Sequence, residues 1–353
     1  EWNRTGGGEQ DDPMLRTGML VWRGAIRVFA TDGLHPSLYQ RHPEGLKEIE
    51  IADGRWLVLT VHSGSGSDVA VSFIYPYGIM AVMVALNSRG YLLLPGIVDL
   101  HGDGFERHLS PRPTAPFEKR RALASAAAEL ASNGVTTAWL AQSWSWEGGF
   151  RSGQATTALL AALGAVRGSL LPDMRVQIRL ETHLIEAHAD VLAAVAQHSV
   201  DYVVFNNHLP EALEMAAQKP DRFAQWALST QRSTDQMLAI VRAADAQGAD
   251  VPAALTRLAA QFAALGVAMG SHDDGSADVR RAYRDMGAHI CEFPTTFVAA
   301  QSAKDAGEPV LMGAPNVVRG GSQSGNISAQ ALIAAGLCDA LVSDYYYPAL
   351  GLA

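Results

Sequence analysis

The chain has 353 residues, 48% of them hydrophobic, with 27 basic against 36 acidic side chains and a net charge of −9. That length holds a barrel of roughly 250 residues beside a smaller module, with a sizeable core. An acidic chain without basic runs is a poor partner for nucleic acid, so an anionic ligand would need a local cluster of donors.

The N-terminal stretch Glu1–Pro13 is polar and Gly-rich. It lacks a basic segment followed by an apolar one, so no signal peptide is expected. Short β-like runs follow at Met19–Phe29, Trp56–His62, Val69–Ile74 and Met80–Leu86, separated by Gly, Asp, Ser and Pro. They predict a small β-rich, sandwich-like module over residues 1–92. Whether a C-terminal segment completes it is left open. Val69–Leu86 is apolar for 18 residues, but Pro76 and Gly78 interrupt it. Two strands joined by a turn are expected there, and no membrane span. Cys291 and Cys338 form no close pair. This argues against a disulfide framework or a zinc finger and suits a reducing cytoplasm.

From Leu93 short apolar runs alternate with Ala-rich helical stretches, the signature of parallel βα units over residues 93–353. Eight strands are predicted, ending near Leu100, Leu140, Glu181, His208, His272, Pro294, Asn316 and Asp344. Helices are expected at Ala122–Asn133, Ala155–Arg167, Ala187–His198, Thr234–Leu265, Asp278–Met286, Phe297–Ala306 and Ala329–Gly336. Number and size match an α/β fold of the (β/α)8 TIM-like barrel type. A doubly wound open sheet is the alternative, weakened because no Gly-x-Gly-x-x-Gly turn follows the first strand.

Several of these strands end in ionisable groups: His101-Gly-Asp103, Glu181-Thr-His183, Asn206-Asn-His208, His272-Asp-Asp274 and Asp344. In a barrel such ends converge on the face where active sites are built, and His with carboxylates at one rim predicts a metal site. His101 and Asp103 point the same way along a strand and can grip one ion. The four lysines, at 47, 119, 219 and 304, end no apolar strand. A carboxylated lysine bridging two metals is therefore not expected, and Glu181 is the carboxylate that could bridge instead. Its alternative is an ion pair with Arg179 on the same face. His208 ranks above His183 as the next ligand, with His183 as ligand, substrate contact or plain rim residue. His272 closely follows its apolar run and ranks as a ligand. Asp273 and Asp274 either orient it or cap the next helix, and Asp273 is also a candidate to face substrate. Asp344 can bind metal and take a proton from water, or simply form a turn.

The segment Gly313–Asn326 carries four glycines with Arg319, Ser322, Gln323, Ser324 and Asn326, and a helical stretch follows. Exposed N–H groups and a helix N-terminus favour an anionic or phosphorylated ligand, against a purely structural Gly-rich turn. Arg107, His108 and Arg112 form a second donor group after the first strand, either facing substrate or lying on a surface loop.

The stretch Leu94–Asp103 resembles the first-strand motif of the amidohydrolase superfamily. Together with Ser110–Pro113, Gly134–Thr137, Ser271–Asp274, Glu292–Thr296, Leu311–Asn326 and Ser343–Tyr346, it is similar to the PhnM family, triphosphate hydrolases of the carbon–phosphorus lyase pathway. The resemblance covers about residues 92–350. It implies hydrolysis of α-D-ribose 1-methylphosphonate 5-triphosphate to the 5-phosphate and diphosphate. It also implies two divalent ions, zinc first, with manganese or iron as alternatives. His101, Asp103 and Asp344 would hold one ion and His208 and His272 the other, with Glu181 bridging. Arg319, Ser322 and Asn326 would contact phosphates, with Gln323, Arg107, His183 and Asp273 on the substrate side. Asp344 would be the proton acceptor. Family members continue past the eighth strand with a helix and closing strands. The residues after Asp103, Gly-Phe-Glu-Arg-His108, differ from those of many superfamily relatives, which bears on the substrate. The rival chemistry is C–N hydrolysis of a cyclic amide or aminated base, and a non-catalytic assembly role is a further alternative. The partners expected are a small phosphorylated substrate, no nucleic acid and no membrane, with a homo-oligomer left open.

Overall fold

Apolar runs that alternate with helices call for a sheet buried on both faces. The computed structural model describes residues 18–23, 26–30, 45–51, 54–62, 69–76, 95–112, 115–230 and 232–353. The chain divides into two units, Glu1–Pro95 and Gly96–Ala353.

The first unit carries a five-stranded antiparallel sheet in the order β2-β1-β5-β4-β3. Its strands are β1 (Gly18–Arg23), β2 (Ile26–Ala30), β3 (Gly45–Ile51), β4 (Gly54–His62) and β5 (Val69–Pro76). The run Met19–Phe29, read from sequence as one β segment, is a hairpin of two strands flanking Gly24-Ala25, with a register shift between Val21 and Trp22. The predicted run Met80–Leu86 lies outside the described residues. Among the described residues no helix is long and apolar enough to cross a membrane.

The second unit is a (β/α)8 barrel. Its strands are β6 (Ile97–Gly102), β7 (Val135–Trp144), β8 (Asp173–Glu181), β9 (Tyr202–Asn206), β10 (Ala268–His272), β11 (Ile290–Glu292), β12 (Val310–Gly313) and β13 (Ala340–Val342). All eight are parallel and lie in sequence order. Every residue of β9 is buried, which is why that strand reads as an unbroken apolar run. In β8, Met174, Val176, Ile178 and Leu180 belong to the hydrophobic core, while Arg175, Gln177, Arg179 and Glu181 make a polar stripe of period two. Alternate residues of a strand face opposite sides, so the stripe lines the barrel interior and climbs toward the mouth.

Helices start where side-chain oxygens can accept a backbone N–H. Ser152, Ser276, Thr296 and Ser328 do so, and Ser233 with Gln236 forms a capping box. The stretch Thr234–Leu265, expected as one helix, is two, Thr234–Asp245 and Val251–Ala264. Gly248 lies in the break, and Pro252 suits a first turn because it has no N–H to leave unpaired. Helices Leu209–Gln218 and Pro220–Ser229, not expected from sequence, pack with the first of these around Phe223, Met237 and Trp146.

The barrel closes between β13 and β6. Gly102 bridges to Asp344 in parallel fashion. Asp344 N–H donates to the His101 carbonyl at 2.9 Å, and Asp103 N–H donates to the Asp344 carbonyl at 2.8 Å. Below them the buried Asp99 carboxylate accepts the Ser343 N–H at 2.9 Å and the Ser343 hydroxyl at 2.5 Å. A Cβ on Gly102 would fall 2.7 Å from Ser343 Oγ and 2.8 Å from Asp99 Oδ2, so only glycine fits this seam. Replacing Asp99 with Ala orphans two buried donors. Urea unfolding should show a loss of about 2–4 kcal/mol, and a loss under about 0.5 kcal/mol would contradict this role for the seam.

Candidate active site

At the C-terminal mouth of the barrel lies a cavity of about 710 Å³ whose lining includes Asp103, Arg151, Arg179, His208, His272, Asp273, Arg319 and Asp344. The chain reaches it by sharp turns. Asp273, Phe293 and Asp344, just after β10, β11 and β13, take φ of 60°, 50° and 55°. Asp tolerates this left-handed region, whereas a bulky Phe costs on the order of 1–2 kcal/mol there. The Phe293 ring lies edge-on to His101 at 5.0 Å and tilted to His272 at 4.9 Å.

Among the described residues two groups bring metal-ligating atoms within 4.8 Å of one another: His101, His272 and Glu292, and Glu147, Glu181 and His208. Neither includes Asp103 or Asp344. In the first group His101 and Glu292 are buried, and His272 Nδ1 lies 2.9 Å from Asp273 Oδ2. In the second, the His208 ring pairs with Glu181 through Nδ1, and the His208 N–H donates to Glu181 Oε2 at 3.2 Å. Glu147, on the loop after β7, is paired with Arg151 at 3.2 Å and accepts from Trp226 Nε1 at 3.3 Å.

Arg179 stands between the acidic groups. It lies 3.8 Å from Asp103 Oδ2 and 3.4 Å from His272 Nε2. With the Asn206 amide oxygen turned toward it, Asn206 accepts from its Nη2 at 3.0 Å and Nε at 3.1 Å. The expected alternative pairing of Arg179 with Glu181 is not made among the described residues, since Glu181 is taken by His208.

The charges fall into order by cause. Burial, with the nearby Asp103 charge, pushes Asp344 up to about 6. Burial works to raise Asp273 as well, but His272 and Arg179 outweigh it and hold Asp273 down at about 2. Burial pushes the His272 imidazole down. At His208 the cost of burial is outweighed by Glu181 and the pKa rises.

Of the residues expected at the substrate side, Arg319, Ser322, Gln323, Asn326 and Asp273 line the cavity. Two do not. Arg107 pairs with Glu129, donates to the Tyr345 carbonyl at 3.2 Å and lies 5.6 Å from the centre of the Tyr347 ring. His183 leans on its neighbour Thr182 at 3.1 Å. The segment read as a loop from Gly313 starts with a short helix, Ala314–Val318, led by Pro315. Gly320, Gly321 and Gly325 then take φ of 77°, 155° and 78°, values that suit glycine.

Sequence reasoning missed Glu147, Arg151 and Glu292. β7 runs four residues past its expected end at Leu140, to Trp144, and so delivers Arg151 to the cavity lining and Glu147 to Glu181 and His208. Glu292 ends the run Ile-Cys-Glu of β11, the same apolar-then-ionisable signal used for the other strands, but hidden by placing that strand's end at Pro294.

The chain is 32% identical over 275 residues to the alpha-D-ribose 1-methylphosphonate 5-triphosphate diphosphatase of Escherichia coli (strain K12), a match spanning 74% of this chain and 70% of that protein. The chain belongs to this diphosphatase family. It is a hydrolase of the phosphonate-metabolism type. No family model matches it. Among solved structures it is similar to an adenine deaminase from Arthrobacter aurescens, at 12% identity and a TM-score of 0.46 over 72% of this chain and 84% of that one. It is also similar to an adenosine deaminase from Xanthomonas campestris, at 10% identity and a TM-score of 0.35 over 86% and 67%. Both scores are low, and the barrel rests on its own strand order.

The raised pKa of Asp344 makes a stability prediction for the metal-free protein. A carboxyl whose folded pKa exceeds its unfolded value binds its proton more tightly when folded, so stability is full at low pH and falls as pH rises from about 4 to about 6. In chelator at pH 7, Asp344→Asn should melt on the order of a few degrees above the parent. The difference should vanish below pH 4. A variant that melts lower at pH 7 would show that the folded protein does not disfavour the Asp344 charge.

Proposed function

We propose that this hydrolase, with a divalent metal bound, cleaves α-D-ribose 1-methylphosphonate 5-triphosphate to the 5-phosphate and diphosphate. The observation that carries the reading is that one cavity wall joins imidazole and carboxylate donors to a donor-rich loop. His272, His208, Asp103 and Asp344 lie on the same cavity as Arg319, Ser322, Gln323 and Asn326. The family membership supplies the substrate class.

The donor set suits a metal: buried imidazoles with carboxylates from several strands favour zinc, manganese or iron over calcium or magnesium. His101, Asp103, Glu181, His208, His272 and Asp344 would hold the metal, with His272 brought to His101 and Glu181 brought to His208. Bound there, such ions supply Lewis-acid polarisation of phosphoryl oxygens and make water acidic enough to attack at neutral pH.

The remaining work belongs to the chain. Asp344 accepts the proton of the attacking water at its carboxylate, a role its place at the mouth suits. The side chains of Arg319, Ser322, Gln323 and Asn326, all on the cavity lining, would neutralise the triphosphate oxygens. They stand there before the reaction, so charge that builds on the leaving diphosphate meets donors already in place. Arg319 Nη1 donates to the Tyr345 hydroxyl at 3.3 Å, which ties the loop after β12 to the segment that follows Asp344.

Phosphorus NMR should show diphosphate released from the triphosphate, with the signal lost in chelator and restored by zinc or manganese. Asp344→Asn should lower kcat by about 10³-fold or more. Arg319→Ala should mainly raise KM. Full turnover by Asp344→Asn with metal bound would remove its base role. Ammonia release from a cyclic amide or aminated base, with the triphosphate untouched, would replace this chemistry with C–N hydrolysis.

A further inference from the structure

We infer that Glu292 is a positioning residue whose carboxylate holds His101 in the Nδ1–H tautomer, so that Nε2 is left to bind a cation. The inference rests on the metal site proposed above. Glu292 Oε2 lies 2.7 Å from His101 Nδ1. Its other oxygen, Oε1, accepts from Gln177 Nε2 at 2.6 Å and from the Tyr202 hydroxyl at 2.6 Å. Both Glu292 and His101 are buried, and Glu292 does not line the cavity.

The competing role is direct ligation, because the ligating atoms of His101, His272 and Glu292 lie within 4.8 Å of one another. The hydrogen bonds weigh against it. Oε1 already accepts twice and Oε2 accepts the imidazole, so three of the four or so acceptor positions of a carboxylate are taken by the protein. An imidazole that donates one nitrogen to a carboxylate presents the other as a lone pair of raised basicity. Among the described residues, His101 Nε2 makes no hydrogen bond. The grip comes from several strands: Gln177 sits in β8, Tyr202 in β9 and Glu292 in β11. Gln177 Nε2 also reaches the carbonyl of Leu100, the residue before His101, at 3.3 Å. The edge of Phe293 closes against the same ring.

Three measurements separate positioning from a merely structural core contact. Nitrogen-15 NMR of the metal-free protein at alkaline pH should give His101 as the Nδ1–H tautomer, and the Nε2–H form would overturn the inference. Glu292→Gln should weaken binding of zinc alone, measured by titration without substrate, by about 10–100-fold. Its hydrolytic rate should recover at high zinc. Tyr202→Phe leaves the His101 contact but loosens Glu292, and should weaken zinc binding by less than the Gln variant does. A folded Glu292→Gln that binds zinc as tightly as the parent would overturn the inference. If that variant does not fold, the tautomer of the parent protein decides. Because zinc binding and tautomer are read without substrate, loss of the triphosphatase reading would leave this test intact.

Discussion

Everything at the mouth depends on closing eight parallel strands upon themselves. Closure puts all the C-terminal strand ends in one place, and the seam that completes it is a buried carboxylate. Asp99 takes both donors of Ser343, while the next residue, Asp344, exchanges backbone hydrogen bonds with His101 and Asp103. The seam therefore fixes the first and last strands at the point where three candidate functional side chains meet. Glycine at 102 is required because any side chain would occupy the space of Asp99 and Ser343.

Convergence has an electrostatic cost. Asp103, Asp273 and Asp344 line one cavity, and the charges of the first two add to burial in raising Asp344. The chain answers with Arg179, threaded up the interior stripe of β8 to lie beside Asp103 and His272. A cation at the mouth relieves the same repulsion, which is why a site of this composition favours one. The donor-rich loop follows β12, so its polar side chains share the cavity with the acidic groups. The proposed triphosphate, carrying several negative charges along an extended chain, suits a cavity that holds both such donors and a place for a cation.

Much of the barrel was legible in the sequence because its strands are buried on both faces and stand out as apolar runs. The strand-end rule worked where the run stops at an ionisable group, as at Glu181 and His272. It failed at β7, where Gln142, Ser143 and Ser145 are buried polar residues that read as loop, so Glu147 and Arg151 went unseen. Helices Leu209–Gln218 and Pro220–Ser229 were missed because Lys219-Pro220 interrupts their pattern. Arg107 looked like a substrate contact by its place after the first strand, yet a helical turn at Glu106–Leu109 directs it to Glu129. Pairing across such a turn is a tertiary fact that spacing does not encode.

The central claim is that distant imidazoles and carboxylates surround a shared cation pair at one mouth. Anomalous diffraction at the zinc edge, from crystals grown with zinc, tests it most directly. The account predicts two strong peaks at the cavity floor, one at about 2.0–2.2 Å from His101 Nε2 and the other within the same range of His208 or Glu181 atoms. Zinc peaks confined to other surfaces, with His101, Glu181, His208 and His272 bare, would contradict it.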